Sequence, residues 1–400
     1  MVGSGARALG MAGAFVARAD DATAASWNPA GLSYLRLPEI SLAGSLDHFD
    51  VETRSPDRNP VDDSDDYRRG GAFDFVALTW PLELGSVGGA LQFSFQRVIS
   101  FNGDQDIVRN LTPIRIESEG GFDVLAFGTG LQLSRKLRVG ATLNRWFNGY
   151  VQRLARLEGN APEETFTDFD FSGWNVNAGV IVTPIENLNL GVVAKTPFTG
   201  RVRQIIERTN LADPDGPPEN RFDSASPGYP DIEIDFPGAV GAGASWRPSN
   251  PWTLSVDYTR TFWSKGRIRN FFRLPGIGPP IVPGRTFFDL LPYPKLNELQ
   301  QKDTEQIRLG GEYVALRGDG YAVPLRAGWF NDRQYFRQED GTAPRFNGLA
   351  VGAGLVLGSM LFDVAYTYEF GDYLDPDQSG NRISVRSQQF FVSLIYRHRR

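Results

Sequence analysis

Two features that recur together along the chain constrain its fold most strongly. From Glu39 onward, apolar and polar residues alternate in about 14 stretches, each long enough to be a barrel strand. The connections between these stretches are alternately short and long. We place the stretches at 39–48, 72–81, 87–100, 121–134, 136–153, 167–184, 187–206, 231–247, 252–268, 304–316, 321–337, 345–357, 360–372 and 382–398. The long connections are 49–71, 101–120, 154–166, 207–230, 269–303, 338–344 and 373–381.

The alternation within one stretch is clear near the C-terminus. Phe362, Val364 and Tyr366 are interleaved with Asp363 and Ala365, so one face of the strand is apolar and the other is small or charged. Short turns on one side and longer loops on the other are typical of an outer-membrane β-barrel. A soluble β-sandwich has no reason to alternate its connection lengths so strictly. The sequence therefore predicts an all-β fold, an antiparallel transmembrane β-barrel of about 14 strands.

The composition is compatible with this prediction and excludes other classes. No uninterrupted apolar run reaches the ~18 residues that a transmembrane helix needs. The chain has no cysteine, which excludes disulfide bonds, zinc–thiolate sites and thiol catalysis. A net charge of −6 does not favour a nucleic-acid partner. The sequence gives no evidence for a metal site or an organic cofactor, and we expect none.

The N-terminal residues differ in character from the alternating stretches. Residues 1–38 are rich in alanine and glycine. A closed barrel of about 14 strands has a lumen too wide to be filled by wall side chains alone. We therefore predict two parts, an N-terminal hatch or plug of residues 1–38 inside the barrel and a transmembrane barrel of residues 39–398.

The sequence ASWNPAGL contains the turn chemistry of this N-terminal part. Pro29 and Gly31 favour a tight turn, which Asn28 can fix by bonding local backbone. Trp27 can anchor the turn by packing. The alternative is a plain N-terminal turn that leads into the first strand.

Four segments, in the same order along the chain, carry the pattern of a known family. They are GARALGMAGAFVARADDATAASWNPAGLS, KTPF (195–198), FPGAVGAGASWRPSNPWTLSVDYTRTFWSK (236–265) and KDTEQIRLGGEYVALRGDGYAVPLRAGWFND (302–332). Together they resemble the FadL/TodX family of outer-membrane transporters of long-chain fatty acids and hydrocarbons. Asn28, Pro29 and Ala30 match the Asn-Pro-Ala motif of that family.

The resemblance implies a mechanism as well as a fold. Ligand would be captured from outside, bound in an apolar pocket of the barrel and released when the hatch shifts. An inward kink in a strand would open the wall sideways, so that the ligand leaves into the membrane. Asn28, Pro29 and Ala30 would then belong to the hatch and shape its conformational change. The family is exported with a signal peptide, and we expect this sequence, which opens on MVGSGARALG, to lack its own.

The long connection 269–303 is unusually apolar for an outer loop. A contiguous apolar patch usually marks binding, so this loop is expected to capture ligand or to fold as a lid over the barrel mouth. The ligand-binding residues predicted here are Phe271, Phe272, Phe287, Phe288 and Leu291.

A ligand carboxylate would favour a cation in the lumen. Arg308, Arg326 and Lys195 occupy those alternate positions of their strands whose side chains are predicted to point into the barrel. The alternative is that these cations pair with the wall carboxylates Asp257, Glu312, Asp363 or Glu369 inside a polar lumen. An aromatic hydrocarbon would need no cation.

The lateral opening implied by the resemblance has one candidate in the sequence. The stretch ISFNGD, residues 99–104, ends the third predicted strand with an Asn-Gly pair. Such a pair more often marks an ordinary turn.

The sequence offers very few candidate catalytic residues for an enzyme. The chain has two histidines, and one of them, His48, lies close to Ser45 and Asp47. However, Asp47 and His48 point to opposite faces of a strand, and the chain has no nucleophile-elbow pattern. We therefore predict no catalytic residues and no enzymatic activity.

The leading interpretation is an outer-membrane protein that takes up hydrophobic compounds. Its expected partners are a fatty acid or hydrocarbon, outer-membrane lipid and lipopolysaccharide, and we expect a monomer. Two alternatives stay open. One is a scaffold or shuttle barrel of a protein-secretion system, and the other is a plain diffusion porin.

Overall fold

The computed structural model describes residues 3–54, 64–109, 112–156, 162–212, 218, 220–227, 232–269, 302–374 and 381–398. It is a closed antiparallel β-barrel with 14 strands in its wall, which confirms the predicted fold class. The barrel closes where the first wall strand, β1 (Glu39–Arg54), pairs with the last, β20 (Arg382–Arg397). Both ends of the wall therefore lie at the end of the barrel that carries the short turns, here called the turn end.

Some wall strands are single elements and others are formed by two consecutive elements. Besides β1 and β20, the single strands are β2 (Ser64–Leu84), β5 (Thr112–Gln132), β8 (Glu163–Ile185), β16 (Thr304–Gly318), β17 (Tyr321–Arg333), β18 (Arg345–Leu357) and β19 (Met360–Leu374). The composite strands are β3 (Val87–Ser100) with β4 (Gly103–Arg109), β6 (Leu137–Phe147) with β7 (Gly149–Arg156), β9 (Leu188–Lys195) with β10 (Phe198–Asn210), β12 (Ile232–Phe236) with β13 (Ala239–Ser249), and β14 (Trp252–Thr261) with β15 (Arg267–Arg269). A short strand, β11 (Asn220–Asp223), pairs with β10.

Several strands extend farther from the turn end than the sequence predicted. β2 begins at Ser64 and β5 begins at Thr112, each well before the predicted start. The connection 101–120, expected to be a long loop, contains a hairpin between β4 and the first part of β5. These extensions are rich in polar residues, so backbone hydrogen bonds form there without the apolar alternation on which the prediction depended.

The outward face of the wall is apolar. Phe93, Phe127, Trp174, Val192 and Val351 are each more than half exposed on five different strands. An apolar outward band of this kind is the surface that a membrane barrel presents to lipid. The same alternation holds in β19, in which apolar side chains point outward and Asp363 is 4% exposed inside the lumen.

Residues 3–36, here called the N-terminal segment, lie inside the barrel and are almost all buried. They form α1 (Ala6–Gly10), α2 (Ala24–Trp27) and a 3₁₀ helix (Pro29–Tyr34). No helix in the described ranges is long and apolar enough to cross a membrane. The segment has a small core around Trp27, whose indole N–H donates to the Ser4 carbonyl over 2.9 Å.

Farther from the turn end, a second group of apolar side chains fills part of the lumen. This aromatic cluster comprises Phe101, Phe122, Tyr150, Phe169, Phe171, Val202, Ile232, Ile234 and Phe236. The N-terminal segment thus occupies the lumen near the turn end, and the aromatic cluster lies beyond it.

Candidate functional site

Asn28, Pro29 and Ala30 lie on wall glycines that are paired directly across neighbouring strands. Gly130 of β5 pairs with Gly140 of β6, and Gly140 pairs with Gly179 of β8. A Cβ atom at Gly140 would lie 2.3 Å from the carbonyl carbon of Pro29 and 2.5 Å from the backbone nitrogen of Ala30. The backbone of the motif therefore touches bare wall backbone, which only glycine permits at this distance. We call this trio of glycines the glycine seat.

The Asn28 side chain joins the N-terminal segment to the wall. Its Nδ2 donates to the Val16 carbonyl at 2.9 Å and to the carbonyls of Val180 and Val192 at 3.3 and 3.4 Å. Its Oδ1 accepts a hydrogen bond from the Ala30 backbone N–H at 3.1 Å. Asn28 is completely buried, so these bonds replace every contact that its amide would make with water.

Two further pairs of wall glycines contact the N-terminal segment. Gly191 of β9 pairs with Gly243 of β13, and a Cβ at Gly191 would lie 2.6 Å from the Val16 carbonyl oxygen. Gly310 of β16 pairs with Gly328 of β17. A Cβ atom at either position would clash with the backbone of Met11. The segment is thus held against the wall on opposite sides of the lumen.

A buried carboxylate binds two consecutive amides of the segment. Asp257 Oδ2 accepts hydrogen bonds from the Phe15 and Val16 N–H groups at 2.6 and 2.7 Å. Asp257 is 1% exposed and projects into the lumen from β14. Two successive N–H groups that converge on one oxygen form a small anion-binding concavity, so this carboxylate fixes the middle of the segment.

Replacing Asp257 by alanine is expected to loosen this part of the segment, because two buried N–H groups would lose their acceptor. The expected cost is about 1–3 kcal/mol. Amide hydrogen exchange should show faster exchange at Phe15 and Val16. Ser255→Ala is the matched control, since Ser255 is an inward residue of the same strand whose hydroxyl donates to the Ser245 hydroxyl and not to the segment's amides. Equal protection in both variants would contradict the assignment.

Arg326 lies at the centre of a buried group of charges. Its Nε donates to Glu312 at 2.9 Å and its Nη1 donates to Asp363 at 2.6 Å, across three different wall strands. Glu312 also accepts a hydrogen bond from Arg7 of the N-terminal segment at 3.2 Å. The Arg326 side chain is 3% exposed, so these pairs are largely removed from water.

Charges within the segment complete this group. Arg7 Nη1 lies 2.8 Å from Asp20 and 3.1 Å from Asp21, and Arg18 lies 2.6 Å from Asp20. Burial alone would raise the pKa of Asp20, but Arg18 and Arg7 hold it below its usual value. The segment therefore carries ionised groups that are compensated within the lumen.

Arg308, the other predicted ligand cation, also contacts the segment. Its Nη1 donates to the Ala12 carbonyl at 2.9 Å and its Nη2 donates to Gln306 at 3.3 Å. Arg308 and Arg326 both project inward, and both already have protein partners. Their role as ligand contacts remains a prediction. The same holds for the predicted loop contacts, which lie outside the described residues: Phe271, Phe272, Phe287, Phe288 and Leu291.

A cavity of about 410 Å³ lies in the barrel beyond the N-terminal segment. Rings of Trp146, Phe198 and Phe236 line one part of it. The centroids of Trp146 and Phe198 are 5.3 Å apart, and those of Phe198 and Phe236 are 4.9 Å apart with nearly parallel planes. Polar side chains line another part, including Asn177 and Lys195.

Sequence reasoning missed most of these cavity residues. Asn175 and Asn177 occupy alternate positions of β8, in the sequence WNVN, and both project inward. Two side-chain amides at inward positions of a strand, next to an outward tryptophan, could have been recognised in the sequence as part of a polar lumen lining. The aromatic members could not be found in this way, because Phe198 begins β10 just after an interruption of its wall strand and Phe236 ends β12 just before one.

The third wall strand is interrupted within the stretch 99–104 that the sequence suggested. β3 ends at Ser100 and β4 begins at Gly103, and both strands pair with β5. The two residues between them are therefore an interruption within one wall strand and not a turn. Phe101 points into the aromatic cluster, with its ring centroid 5.3 Å from that of Phe122.

The Asn102 side chain spans this interruption. Its Nδ2 donates to the Gly71 carbonyl of β2 at 2.9 Å, and its Oδ1 accepts from the Gly120 N–H of β5 at 2.8 Å. A side-chain amide thus replaces the backbone hydrogen bonds that a continuous strand would make with both neighbours.

The residues weighed for an enzyme are not arranged as a catalytic pair. His48 Nε2 lies 3.0 Å from Asp50, whereas the Ser45 hydroxyl bonds Asp74. An odd separation along a strand also places Ser45 and His48 on opposite faces. In the described part of the chain, no group of three potential metal-ligating side chains is close enough to hold a metal ion.

Comparison with known proteins assigns the family. The family model described as BamG matches residues 4–274, which is more than half of the chain. The chain belongs to the BamG family. No curated protein sequence matches this BamG-family chain.

Solved structures resemble this BamG-family barrel over its full length. A Pseudomonas aeruginosa FadL homologue is 15% identical with a TM-score of 0.64, and the match covers 99% of both chains. The CymD monoaromatic hydrocarbon channel is 16% identical with a TM-score of 0.60, over 100% of this chain and 98% of CymD. The P. putida toluene transporter TodX is 13% identical with a TM-score of 0.58, over 95% of both chains. At these low identities, the structural likeness shows a shared fold. It confirms the fold resemblance that the sequence motifs indicated.

Proposed function

We propose that this BamG-family barrel is an outer-membrane channel for hydrophobic compounds, in which the N-terminal segment acts as a hatch. The observation that carries the proposal is the arrangement of the lumen. A ring-lined cavity lies beyond the N-terminal segment, which packs inside the barrel near its turn end. A plain diffusion porin needs an open lumen, and a ring-lined cavity is the kind of site that binds small apolar molecules. The proposal is also supported by the likeness to CymD, a monoaromatic hydrocarbon channel, and to TodX, a toluene transporter.

The proposed route starts at the outer connection 269–303. Its residues Phe271, Phe272, Phe287, Phe288 and Leu291 would capture the ligand and pass it to the cavity. Release would follow either a shift of the hatch or an opening of the wall at Phe101 and Asn102. In this proposal Arg308 holds the hatch through the Ala12 carbonyl and becomes available to a ligand carboxylate only after the hatch shifts. Arg326 contacts the hatch through Glu312, and it would first have to leave its wall carboxylates to bind a ligand.

The test is native mass spectrometry with lipid extraction, on protein purified in a mild detergent. A bound fatty acid or hydrocarbon would support the channel and identify the class of cargo. An empty barrel that brings down a folded protein partner would instead support a scaffold of protein secretion. An empty barrel with high conductance in planar bilayers would support a porin.

Asn28→Ala is expected to reduce uptake several-fold while ligand binding is retained, because the bonds that join the hatch to β8 and β9 would be lost at a cost of about 1–3 kcal/mol. Uptake can be measured in proteoliposomes with an entrapped fatty-acid reporter, and binding by tryptophan fluorescence. Asn250→Ala, in an exposed turn of the wall, is the matched control. Normal uptake in Asn28→Ala would remove this residue from the gating mechanism.

A further inference from the structure

One arginine lies on the outward face of the barrel, among side chains that face lipid. Arg145 of β6 follows Leu143 on this face, and Leu143 is 48% exposed. The direct cross-strand partners of Arg145 are Leu125 of β5 and Trp174 of β8, which are both outward and exposed. Because cross-strand partners share a face of the sheet, Arg145 also points away from the lumen.

The row of outward residues that contains Arg145 is the outermost row of the apolar band. On β8 the outward residues from Val182 to Trp174 are all apolar, and they span about 20 Å along the barrel axis at a typical strand tilt. The next two residues on this face, Ser172 and Asp170, are polar. Since the turn end of a membrane barrel faces the periplasm, Arg145 lies at the level of the lipid headgroups of the outer leaflet.

Two contacts hold the guanidinium group of Arg145 in place. Its Cζ atom lies 5.2 Å from the centroid of the Trp174 indole, as in a cation–π contact. Its Nη1 donates to the Gly173 carbonyl over 3.3 Å. Gly173 lies farther from the turn end than Trp174, so the side chain is directed toward the outer headgroups. These contacts use one of five N–H donors and leave the others for a ligand.

The protein does not compensate the charge of Arg145. In the part of the chain that the structure describes, no carboxylate pairs with it. Arg153 of β7 makes an instructive comparison, because it also points outward and lies over an aromatic ring, 5.0 Å from the centroid of Phe166. Arg153 differs in having a carboxylate partner, Glu164, at 3.3 Å. Arg145 therefore has the geometry of an ion-paired arginine without the anion.

The carboxylate at the next position of the same face of β5 is engaged elsewhere. Asp123 accepts hydrogen bonds from Arg97 at 2.8 and 3.0 Å, and a third from Asn148 at 2.8 Å. Its side chain is 3% exposed, so these partners already occupy it. Asp123 is therefore not available as the counter-charge of Arg145.

Ser172 of β8 supplies a neutral donor beside this arginine. It is the next outward residue beyond Trp174, and among the described residues its hydroxyl has no hydrogen-bond partner. On its other side, Ser172 pairs with Arg201 of β10, which itself faces Glu233 of β12 across the next pair of strands. The charge of Arg201 is thus balanced by a neighbour, and that of Arg145 is not.

We propose that Arg145 and Ser172 bind a phosphate group of lipopolysaccharide, the glycolipid of the outer leaflet, while Leu143 and Leu125 contact its acyl chains. Phosphate is the anion that this glycolipid carries at headgroup level, and a guanidinium group binds it through two parallel N–H···O bonds. The stacking on Trp174 orients the guanidinium group before the lipid arrives, which lowers the entropic cost of binding. The site lies outside the lumen, so it does not depend on the proposed channel or its hatch.

The test compares diphosphoryl lipid A with the same lipid after enzymatic removal of its phosphates. Each is titrated into the full chain in a mild detergent, and native mass spectrometry measures the bound fraction. The wild-type chain should prefer the phosphorylated lipid. Arg145→Leu should weaken its binding about tenfold or more, because charge-assisted hydrogen bonds are lost. Binding of the dephosphorylated lipid should stay unchanged, which also shows that the variant is folded. Arg145→Lys should restore only part of the preference, since an ammonium group cannot form the bidentate contact.

Arg153→Leu is the matched control, because Arg153 also lies outward over a ring but is already paired with Glu164. This variant should bind both forms of the lipid like the wild type. Phosphatidylglycerol identifies the source of the phosphate, and it should bind several-fold more weakly than lipid A. Equal binding of these two lipids would overturn the assignment to the glycolipid. Equal effects of Arg145→Leu and Arg153→Leu, or equal effects of Arg145→Leu on the two forms of lipid A, would overturn the site itself.

Discussion

Arg326→Met is expected to lower the free energy of unfolding by about 3–5 kcal/mol. Arg326 compensates Glu312 at 2.9 Å and Asp363 at 2.6 Å, and all three side chains are less than a tenth exposed. Removing the cation takes the hydrogen-bonded arginine from the buried Asp363 and one of several cation partners from the buried Glu312, which costs far more than the loss of a surface ion pair. The measurement is urea unfolding in lipid vesicles, followed by tryptophan fluorescence.

The controls separate this effect from the loss of any arginine. Arg317→Met, at the exposed end of β16, should change stability by less than about 1 kcal/mol. Adding Asp363→Asn to Arg326→Met should recover part of the loss, because one uncompensated charge is removed with it. If Arg326→Met and Arg317→Met unfold at the same urea concentration, the lumen charges are solvated as freely as surface charges.

Gly140→Val is expected to displace the N-terminal segment from the wall. A Cβ atom at Gly140 would lie 2.3 Å from the Pro29 carbonyl carbon and 2.4 Å from its oxygen, and both are backbone atoms that cannot rotate away. Overpacking of a tight contact typically costs about 1–3 kcal/mol, and a clash with backbone lies at the upper end. If the segment acts as the proposed hatch, the variant should conduct ions in planar bilayers at a level typical of open barrels, whereas the wild-type chain should conduct poorly.

Gly311→Val is the matched control for this experiment. Gly311 also lies within a wall strand, but a Cβ atom there meets nothing closer than 3.6 Å. Its conductance should stay at the wild-type level. Gly140→Ala offers a milder form of the same clash if the valine variant fails to assemble. Should Gly140→Val and Gly311→Val both remain closed, the contact between Pro29 and the wall would not be what holds the segment in place.

The sequence predicted the wall far better than it predicted what the wall encloses. Alternation along β19 correctly placed Asp363 in the lumen, because the period of a strand is a local property of the sequence. Parity also made Asp363 one of four carboxylates that an inward cation could pair with, but it could not choose among them. The contact of Asp363 with Arg326 depends on strand register across β17, β18 and β19, which no local pattern encodes.

The glycine seat could not be predicted from the sequence, for a related reason. Gly130, Gly140 and Gly179 look unremarkable along the chain, where glycine is common. They form one surface only because the pairing of three strands brings them to the same level. The Asn-Pro-Ala motif was identified by resemblance, but the wall residues that receive it became visible only from the register of the strands.

The distances along the chain between the N-terminal segment and its partners bear on how the protein is made. Arg7 is 305 residues from Glu312, and Ala12 is 296 residues from Arg308. The N-terminal segment therefore cannot complete its native contacts until strands far along the chain are in place. Since the barrel closes between its first and last strands, the segment has to be enclosed at that final step. The time at which its amides become protected from hydrogen exchange would consequently report when assembly is complete.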